Sequence, residues 1–481
     1  MENTNLAEIK DSDALHSEHG LAESDQKPTV ASRALFLMLC AAPVLAALAI
    51  GMVDDLSLGL FSLSACIVGW LWLADAWTAR ELRLSRSLLQ WPLLGLILIG
   101  AIQLLPVRDA NLPAGLLPIP ASSALSLDAF ATKLMLAQLV AMLVYFAAAL
   151  TFINTRKRLQ TVALAIVVFG FALAVFGIIQ YFTSDNKIYW MREPNQATPF
   201  GPFVNRHHFA ACMEMTMSLA LGLLYFQSIK KEKRPLIVFA VLVMGVALIM
   251  TGSRGALIGL FGILTFLTAI RFAQGKNVED EDAQTTSLKR FSGNKAILLA
   301  GGIALILIVF GAASFLGSDE LLTRSVGFGG GSDFSNGRTH FWATTLEIIR
   351  DYPIFGVGLD AFASAYPRYD TWNGVYRLER AHNDYLQVFA ETGVAGFILI
   401  IWFLAELFRT GTRVFRTSRS DRLRRGICLG ALAGCLGIAV HSFFDFPLRT
   451  PSNLLMFLTL AALATVPFEI KTSRNKKRMR K

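Results

Sequence analysis

Three basic residues in short motifs have side chains suited to act on a charged substrate. They are Arg254 in "TGSRGAL", Arg338 in "SNGRTHFW" and His382 in "RAHNDYL". An arginine guanidinium can bind a phosphate through two parallel hydrogen bonds. A histidine exchanges protons near neutral pH and can act as a general base. Together these residue types indicate an anion clamp beside a proton acceptor.

Each of the three residues also has a structural interpretation, which the motifs alone leave open. Arg254 fits an interfacial arginine that reaches lipid headgroups, and Arg338 and His382 fit solvated or structural loop residues. Arg338 opens a predicted helix, where a cation opposes the helix dipole unless an anion is bound, and this favours a functional role. We expect Asp384 or Glu391 to orient the His382 ring.

Two further motifs carry polar residues at predicted span ends. "GPFVNRHHFA" contributes Asn205, Arg206 and the adjacent histidines His207 and His208. Because adjacent histidines do not share a helix face, we expect no metal site on this pair. "HSFFDFPLRTPSN" places His441 and Asp445 after another span. Glu214 is the one carboxylate deep within a predicted span, which makes it a functional candidate.

The composition predicts a polytopic membrane protein. Of the 481 residues, 54% are hydrophobic and 17% are charged, and apolar runs near 20 residues are typical of membrane-spanning helices. The net charge of +10 does not indicate nucleic-acid binding, because the basic residues flank apolar runs. The five cysteines lie within apolar runs and are interpreted as small hydrophobic residues. The first 33 residues do not resemble a cleavable signal peptide, so we expect the first span to serve as an uncleaved signal.

The apolar runs predict an all-α fold with about twelve transmembrane helices. The predicted spans are Ala34–Val53, Leu56–Trp77, Leu88–Leu105, Leu134–Ile153, Leu159–Tyr181, Asn205–Phe226, Leu236–Met250, Gly255–Phe272, Ala296–Phe315, Val388–Phe408, Ile427–Phe443 and Asn453–Phe468. A disordered cytoplasmic tail is expected at 1–33 and a basic cytoplasmic tail at 469–481. No role is assigned to the tail or to the insert at 276–290.

Basic loops predict the orientation of these spans. "TRKR" at 155–158 and "KKEKR" at 230–234 fall on one side, whereas "DD" at 54–55 falls on the other. By the positive-inside rule both termini are then cytoplasmic. Arg254, Arg338 and His382 are all delivered to the opposite, extracytoplasmic face, which suits chemistry at the outer interface better than transport through the bilayer.

The longest extracytoplasmic segment, 316–387, is predicted to form a helical cap between spans nine and ten. In "GRTHFWATTLEIIRDYP", one face of a helix would carry Phe341, Trp342, Thr345, Leu346 and Ile349. A second helix is expected to begin near Ala381 and to run into the membrane, which would put His382, Leu386 and Phe389 near one stripe. Long loops of this kind tend to be functional.

The motifs, taken in order, resemble the O-antigen ligase and polymerase superfamily of bacterial membrane glycosyltransferases. The resemblance runs from about Phe200 to Ala462 and is carried by the "SRG" motif together with "AHNDYLQVFAETGVAG" and "HSFFDFPLRTPS". It divides the chain into N-terminal spans at 34–199 and a catalytic membrane region at 200–468.

The resemblance implies a metal-independent, cofactor-free glycosyltransferase of GT-C type in the bacterial inner membrane. Such enzymes move a glycan from undecaprenyl diphosphate to lipid A–core or to another lipid-linked glycan, on the periplasmic side, with partners in a polysaccharide assembly complex. It implies that Arg254 and Arg338 hold the donor diphosphate and that His382 activates the acceptor hydroxyl. Ser253, Asn205, His207, Asn383 and Asp384 are the expected substrate-binding residues. The alternative role for Asn383 and Asp384 is to position His382 or to cap the helix.

The sequence departs from the family at one position and leaves other functions open. Family members often show Asn-x-Asn where this chain has Asn205-Arg206-His207, so the acceptor contacts at His207 are expected to differ. Ligase and polymerase cannot be separated by motif. A polysaccharide or lipid transporter would place charges at the bilayer midplane, and a non-catalytic scaffold would tolerate replacement of Arg254, Arg338 and His382.

Overall fold

The computed structural model describes residues 28–107, 123–194, 197–279, 337–372 and 378–467. The predicted ninth span, Ala296–Phe315, and the tails at 1–27 and 468–481 lie outside the described residues, as does most of the insert at 276–290. Within the described part the fold is all-α, with two isolated β-bridges and no strand.

Thirteen helices make up the described part of the chain. They are α1 Val30–Leu48, α2 Asp55–Ala79, α3 Gln90–Gln103, α4 Ala129–Phe152, α5 Arg156–Thr183, α6 Arg206–Tyr225, α7 Arg234–Met250, α8 Arg254–Glu279, α9 Arg338–Asp351, α10 Phe362–Ala365, α11 Asp384–Thr417, α12 Arg422–His441 and α13 Pro451–Thr465.

Eleven of the twelve predicted spans coincide with helices, and the all-α polytopic prediction is confirmed. Nine helices in the described ranges are long and apolar enough to cross a membrane, and α3 and α13 are shorter apolar helices. The seventh predicted span, Leu236–Met250, corresponds to α7. Helix α11 is longer than its predicted span, Val388–Phe408, at both ends: it begins at Asp384 and continues through basic turns to Thr417.

Helix α12 lies at the centre of the bundle, between α6, α8 and α13. Its glycines permit close approach: a Cβ on Gly430 would lie 2.9 Å from the Cα of Leu219, and one on Gly434 would press on Ser218. Without a hydrophobic driving force inside lipid, small residues at such contacts let helices gain van der Waals packing. This packing fixes the end of α12, where His441 and the following loop lie.

The cap, residues 337–372, contains the predicted amphipathic helix α9. Its buried residues are Thr344, Thr345, Ile348 and Ile349. The prediction that Leu346 belongs to this face is wrong, since Leu346 is 55% exposed. The buried stripe follows positions i, i+1, i+4 and i+5 from Thr344, which places Leu346 on the opposite side of the helix.

The helix that follows His382 begins later than predicted. Asn383 is the N-cap of α11, and its Oδ1 accepts hydrogen bonds from the N–H groups of Tyr385 and Leu386. His382 therefore precedes the helix, with φ of +51°, and does not share a helical stripe with Leu386 and Phe389. Few non-glycine residues adopt this left-handed conformation, and those that do often lie at functional sites.

A loop from the cap is built into an interruption of α11. Gly393, at φ +64° and ψ −166°, breaks the helical geometry. The N–H of Val394 donates to Pro353 O, and the N–H groups of Val357 and Gly358 donate to the carbonyls of Ala390 and Glu391. The loop thereby satisfies backbone groups that the break would leave unpaired in an apolar region.

Gly356 provides a test of this loop, because its φ is +69° and a Cβ would fall on the backbone of Glu391 and Thr392. We expect Gly356→Ala to lower the free energy of unfolding by about 2 kcal/mol or more, through strain and steric overlap. Thermal unfolding in detergent micelles measures the effect. The control is Gly59→Ala in α2, where nothing lies within 4 Å of the added methyl and the change is expected to be neutral or stabilising. Equal unfolding temperatures for Gly356→Ala and the wild type would contradict the packing described.

Candidate functional site

Asp445, in the loop between α12 and α13, is the centre of a buried charge cluster. Its side chain is 2% exposed. Its Oδ1 lies 3.4 Å from His382 Nδ1, and its Oδ2 lies 3.4 Å from Arg338 Nη2 and 3.7 Å from His207 Nδ1. Three basic residues from distant parts of the chain therefore meet on one carboxylate.

The cluster keeps Asp445 ionised. Burial alone would raise the pKa of this carboxyl, but His207, His382 and Arg338 outweigh burial and hold the pKa well below its usual range. The N–H of Phe446 also donates to Asp445 Oδ1. A carboxylate facing Nδ1 of His382 favours the tautomer that carries the proton on Nδ1. The Nε2 lone pair of His382 is then the one that can accept a proton.

Local backbone contacts hold His382 in its left-handed conformation. The N–H of Ala381 donates to Gln387 Oε1, at 2.6 Å. On the other side, the N–H of Asp384 donates to Ser442 O and Asp445 O. The residues on both sides of His382 are thus tied to α11 and to the Asp445 loop, so the ring is placed by a rigid frame.

Asp384 fastens the start of α11 to the same loop. Its Oδ2 accepts hydrogen bonds from Ser442 Oγ at 2.9 Å and from the N–H of Leu448 at 3.1 Å. The expectation that Asp384 or Glu391 orients the His382 ring is therefore wrong, since both carboxylates have other partners and Asp445 faces the ring. Asp384 links the start of α11 to the Asp445 loop, and Asn383 caps the helix.

Glu391 belongs to a second buried network, beside the first. It pairs with Arg449 and accepts a hydrogen bond from Gln387 Nε2 at 2.6 Å. Asp360 in the cap lies 2.6 Å from Arg380 and 3.9 Å from Arg449. This network ties the cap and α11 to the loop that also carries Asp445.

The motif at the start of α6 places His207 in the cluster. Asn205 is the N-cap of α6, and its Oδ1 accepts from the N–H of His207 at 2.9 Å. The neighbouring His208 points elsewhere, with its ring 5.0 Å from that of Phe446. Among the described residues, no group of three or more His, Cys, Asp or Glu side chains is arranged to hold a metal ion.

Ser253 lies in the turn between α7 and α8, and Arg254 is the first residue of α8. Ser253 is buried, and its Oγ accepts from the N–H of Ala256 at 3.3 Å. A Cβ on Gly255 would lie 2.6 Å from the His441 ring and 3.4 Å from Phe444 Cβ. The backbone next to Arg254 is therefore seated against the segment that leads to Asp445.

Beneath this turn lies a buried carboxylate–histidine pair. Glu214 Oε2 is 3.0 Å from His441 Nδ1, and both side chains are fully buried. Gly259 of α8 packs against the Glu214 carboxylate. The predicted functional carboxylate Glu214 therefore has a partner, and the pair joins α6 and α12 where α8 crosses them.

An apolar cavity opens on the other side of the Asp445 loop. It lies between α3, α4, α11 and α13 and has a volume of about 160 Å³. Asp384, Ser442 and Arg449 line one end of it, and Leu404 and Phe457 lie deeper along the helices. The cavity is thus a long apolar space with a polar end next to the charge cluster.

Sequence reasoning brought Arg338, His382 and His207 to the site and missed Asp445 as their common partner. It also missed Arg449, Asp360 and Arg380. Asp445 and Arg449 both stand in the quoted motif "HSFFDFPLRTPSN". Two charges so close to a span end are a signal that could have been weighed, although their partners could not be deduced from spacing.

Comparisons with known proteins support the resemblance. Residues 239–401 match the O-antigen ligase family, Wzy_C. A further similarity is to the exopolysaccharide production protein ExoQ of Rhizobium meliloti (strain 1021), with 27% identity over 226 residues. That match covers 45% of this chain and 45% of the relative, so the chain spans less than half the length of the curated relative it matches. The family match includes Arg254, Arg338 and His382 but ends before Asp445.

Removing the charge of Asp445 tests the cluster independently of any activity. We expect Asp445→Asn to speed hydrogen exchange of the α9 amides by at least about tenfold, because Arg338 loses its buried counter-charge and the two histidines lose the carboxylate that they face. Hydrogen-exchange mass spectrometry in detergent measures this. The matched control is Asp421→Asn, which removes another buried carboxylate, paired with Arg156 at the other end of α12. Unchanged exchange in α9 of Asp445→Asn would show that the cap does not depend on the cluster.

Proposed function

We propose that this protein, whose residues 239–401 match the O-antigen ligase family, transfers a glycan from undecaprenyl diphosphate to an acceptor hydroxyl. The observation that carries this proposal is the position of His382. Asp445 faces its Nδ1, Arg338 lies on the same carboxylate, and an apolar cavity begins beside them. A general base, a cation and a space for a lipid are the three requirements of such a transfer.

In the proposed reaction His382 Nε2 takes the proton of the acceptor hydroxyl. The freed oxygen forms a bond to the anomeric carbon of the donor sugar while the bond from that carbon to the diphosphate oxygen breaks. The anomeric centre is inverted, and undecaprenyl diphosphate leaves with the electron pair. A positioned general base contributes about 10²–10⁴-fold to such a step, and Asp445 stabilises the imidazolium that forms.

Arg338 and Arg254 are the proposed groups that neutralise the diphosphate as it leaves. Preorganised cations in a site that excludes water stabilise developing charge more strongly than the same cations in solution. Arg338 is held at the first position of α9, where the N–H groups also point towards an anion. No metal is needed for this step in the proposed mechanism, which is of the GT-C type.

The apolar cavity is the proposed place for the isoprenoid tail of the donor. Its polar end at Arg449 and Ser442 lies on the same loop as Asp445, so a tail inside it would leave its diphosphate near the cluster. The site end of the bundle would face the periplasm of an inner membrane, as the basic loops predict. Ser253, Asn205, His207, Asn383 and Asp384 then act mainly by shaping the site, since the last two are occupied by backbone and loop contacts.

Two acceptors fit this proposal. In a ligase the acceptor is lipid A–core, and in a polymerase it is another lipid-linked repeat unit. The Rhizobium relative is an exopolysaccharide production protein, which favours the polymerase as the second candidate. In either case the protein works with other members of a polysaccharide assembly complex.

Replacement of His382 tests the proposed catalysis. A deletion strain of the source bacterium is complemented with wild type, His382→Ala or Arg338→Ala, and surface glycans are resolved by size with lipid A–core alongside. Both variants are expected to be present in the membrane at normal levels and to produce at least about 10²-fold less high-mass glycan than wild type. The control is Arg350→Ala, in the same helix as Arg338 but with a side chain that is 85% exposed.

The products distinguish the two acceptors. Loss of capped lipid A–core with polymer left on undecaprenyl diphosphate indicates a ligase, whereas accumulation of single repeat units indicates a polymerase. Unchanged glycans in His382→Ala would refute the catalytic role of this histidine and favour a scaffold or a transporter.

The cavity is tested by filling it at Ala439, which lines it beside Tyr385. We expect Ala439→Phe to raise the KM for a full-length undecaprenyl donor roughly tenfold, equivalent to the loss of about two buried methylene groups. The KM for a donor with a short isoprenoid chain should change little. Initial rates with purified protein in nanodiscs measure both constants, and Ala74→Phe, at an exposed position of α2, is the control. Equal increases in KM for the long and the short donor would show that the isoprenoid tail does not bind in this cavity.

A further inference from the structure

An aromatic shelf lies on the cap, outside the charge cluster. It consists of His340, Phe341 and Trp372. The rings of His340 and Trp372 are stacked with centroids 4.2 Å apart and planes within 2° of each other. Phe341 meets Trp372 edge-on at 5.8 Å. Trp372 remains 47% exposed, so a large part of this flat indole is open to the surroundings.

A carboxylate holds the shelf in place. Asp370 Oδ1 lies 2.8 Å from His340 Nε2 and accepts a hydrogen bond from the N–H of Trp372 at 3.1 Å. The hydrogen bond with His340 lowers the pKa of Asp370, so the carboxyl is charged at neutral pH. The shelf therefore combines a fixed aromatic plane with a fixed, charged hydrogen-bond acceptor at its edge.

The shelf is adjacent to the proposed reaction centre. Gly337, which precedes Arg338, has φ of +79°, and a Cβ there would lie 3.0 Å from both Phe341 Cζ and Trp372 Cη2. Phe341 also lies 6.0 Å from the His382 ring, with planes 29° apart. A single ring thus separates Trp372 from His382, which is a spacing suited to the next sugar along a glycan chain.

The chemistry of the shelf matches a pyranose ring. A pyranose presents a face of C–H groups and an edge of hydroxyl donors, and binding sites for such ligands combine apolar aromatic surfaces with a few fixed polar groups. An indole that serves only to anchor the protein at the membrane interface needs neither a stacked imidazole nor a carboxylate locked beside it. The stacking and the Asp370 contacts fix the orientation of Trp372, and a fixed plane loses little entropy when a ligand binds.

We propose that the shelf is a subsite for a pyranose ring of the glycan, one sugar away from the reacting bond. This inference rests on the proposed glycosyl transfer. The sugar belongs either to the donor glycan or to the acceptor glycan, and the chemistry of recognition is the same for both.

Steady-state kinetics of Trp372→Ala test the subsite. Purified protein in nanodiscs is assayed with lipid-linked glycan extracted from the deletion strain as donor, and with lipid A–core or a second lipid-linked repeat as acceptor. We expect the KM for one of the two substrates to rise about tenfold with kcat within twofold of wild type, because the ring acts in binding. Trp372→Phe should retain most of the affinity. The control is Leu346→Ala, on the outer side of the same helix as His340.

The outcomes separate the subsite from the proposed function. A raised KM for the donor or for the acceptor supports the subsite and identifies which glycan it holds. Unchanged KM values for both substrates in an active Trp372→Ala variant overturn it. A fall in kcat alone also overturns it, because the ring would then only support Arg338. If the wild type itself transfers no glycan, the proposed function fails, whatever the variant does.

Discussion

The buried negative charge of Asp445 is the constraint on which the site depends. A carboxylate removed from water is costly unless cations and hydrogen-bond donors replace the water. Arg338 comes from the cap, His207 from the start of α6 and His382 from the residue pair before α11. The cap must therefore dock on the bundle for the charge to be compensated. Because the buried carboxylate is unfavourable without these partners, the folded state requires the three distant segments to meet.

The loop between α12 and α13 has a different environment on each side. On one side Asp445 faces the basic cluster, and on the other Ser442 and Arg449 face the apolar cavity. Hydrogen bonds from this loop to Asp384, together with the Arg449–Glu391 pair, keep it fixed between the two. Under the proposed function this separation has a direct use, since a lipid-linked glycan has a polar reacting end and an apolar tail that need adjacent but different surroundings.

The sequence predicted the helices and three members of the cluster, but it did not predict the pairings. Span length and charge placement locate Arg338 and His382 at helix ends, because those signals act over a few neighbouring residues. Asp445 is far from both along the chain, and no periodicity reports which carboxylate faces which histidine. The start of α11 was predictable in principle, since an asparagine such as Asn383 before an apolar run is a common N-cap. Leu346 was wrongly assigned to the buried face because the predicted face covers a wide arc of the helix, and Leu346 lies at the edge of that arc.

The placement of buried charges in the described part of the bundle argues for chemistry at its rim over transport through it. Glu214 is matched by His441, and Glu391 by Arg449. Gly255 and Gly259 of α8 pack directly on the first of these pairs. A translocation path needs charged groups that face water or change partners during the cycle. Here close glycine contacts fill the space beside the Glu214–His441 pair, so it stabilises helix packing. The partly exposed groups, Arg338 and His382 among them, lie instead at the end of the bundle, beside the cap.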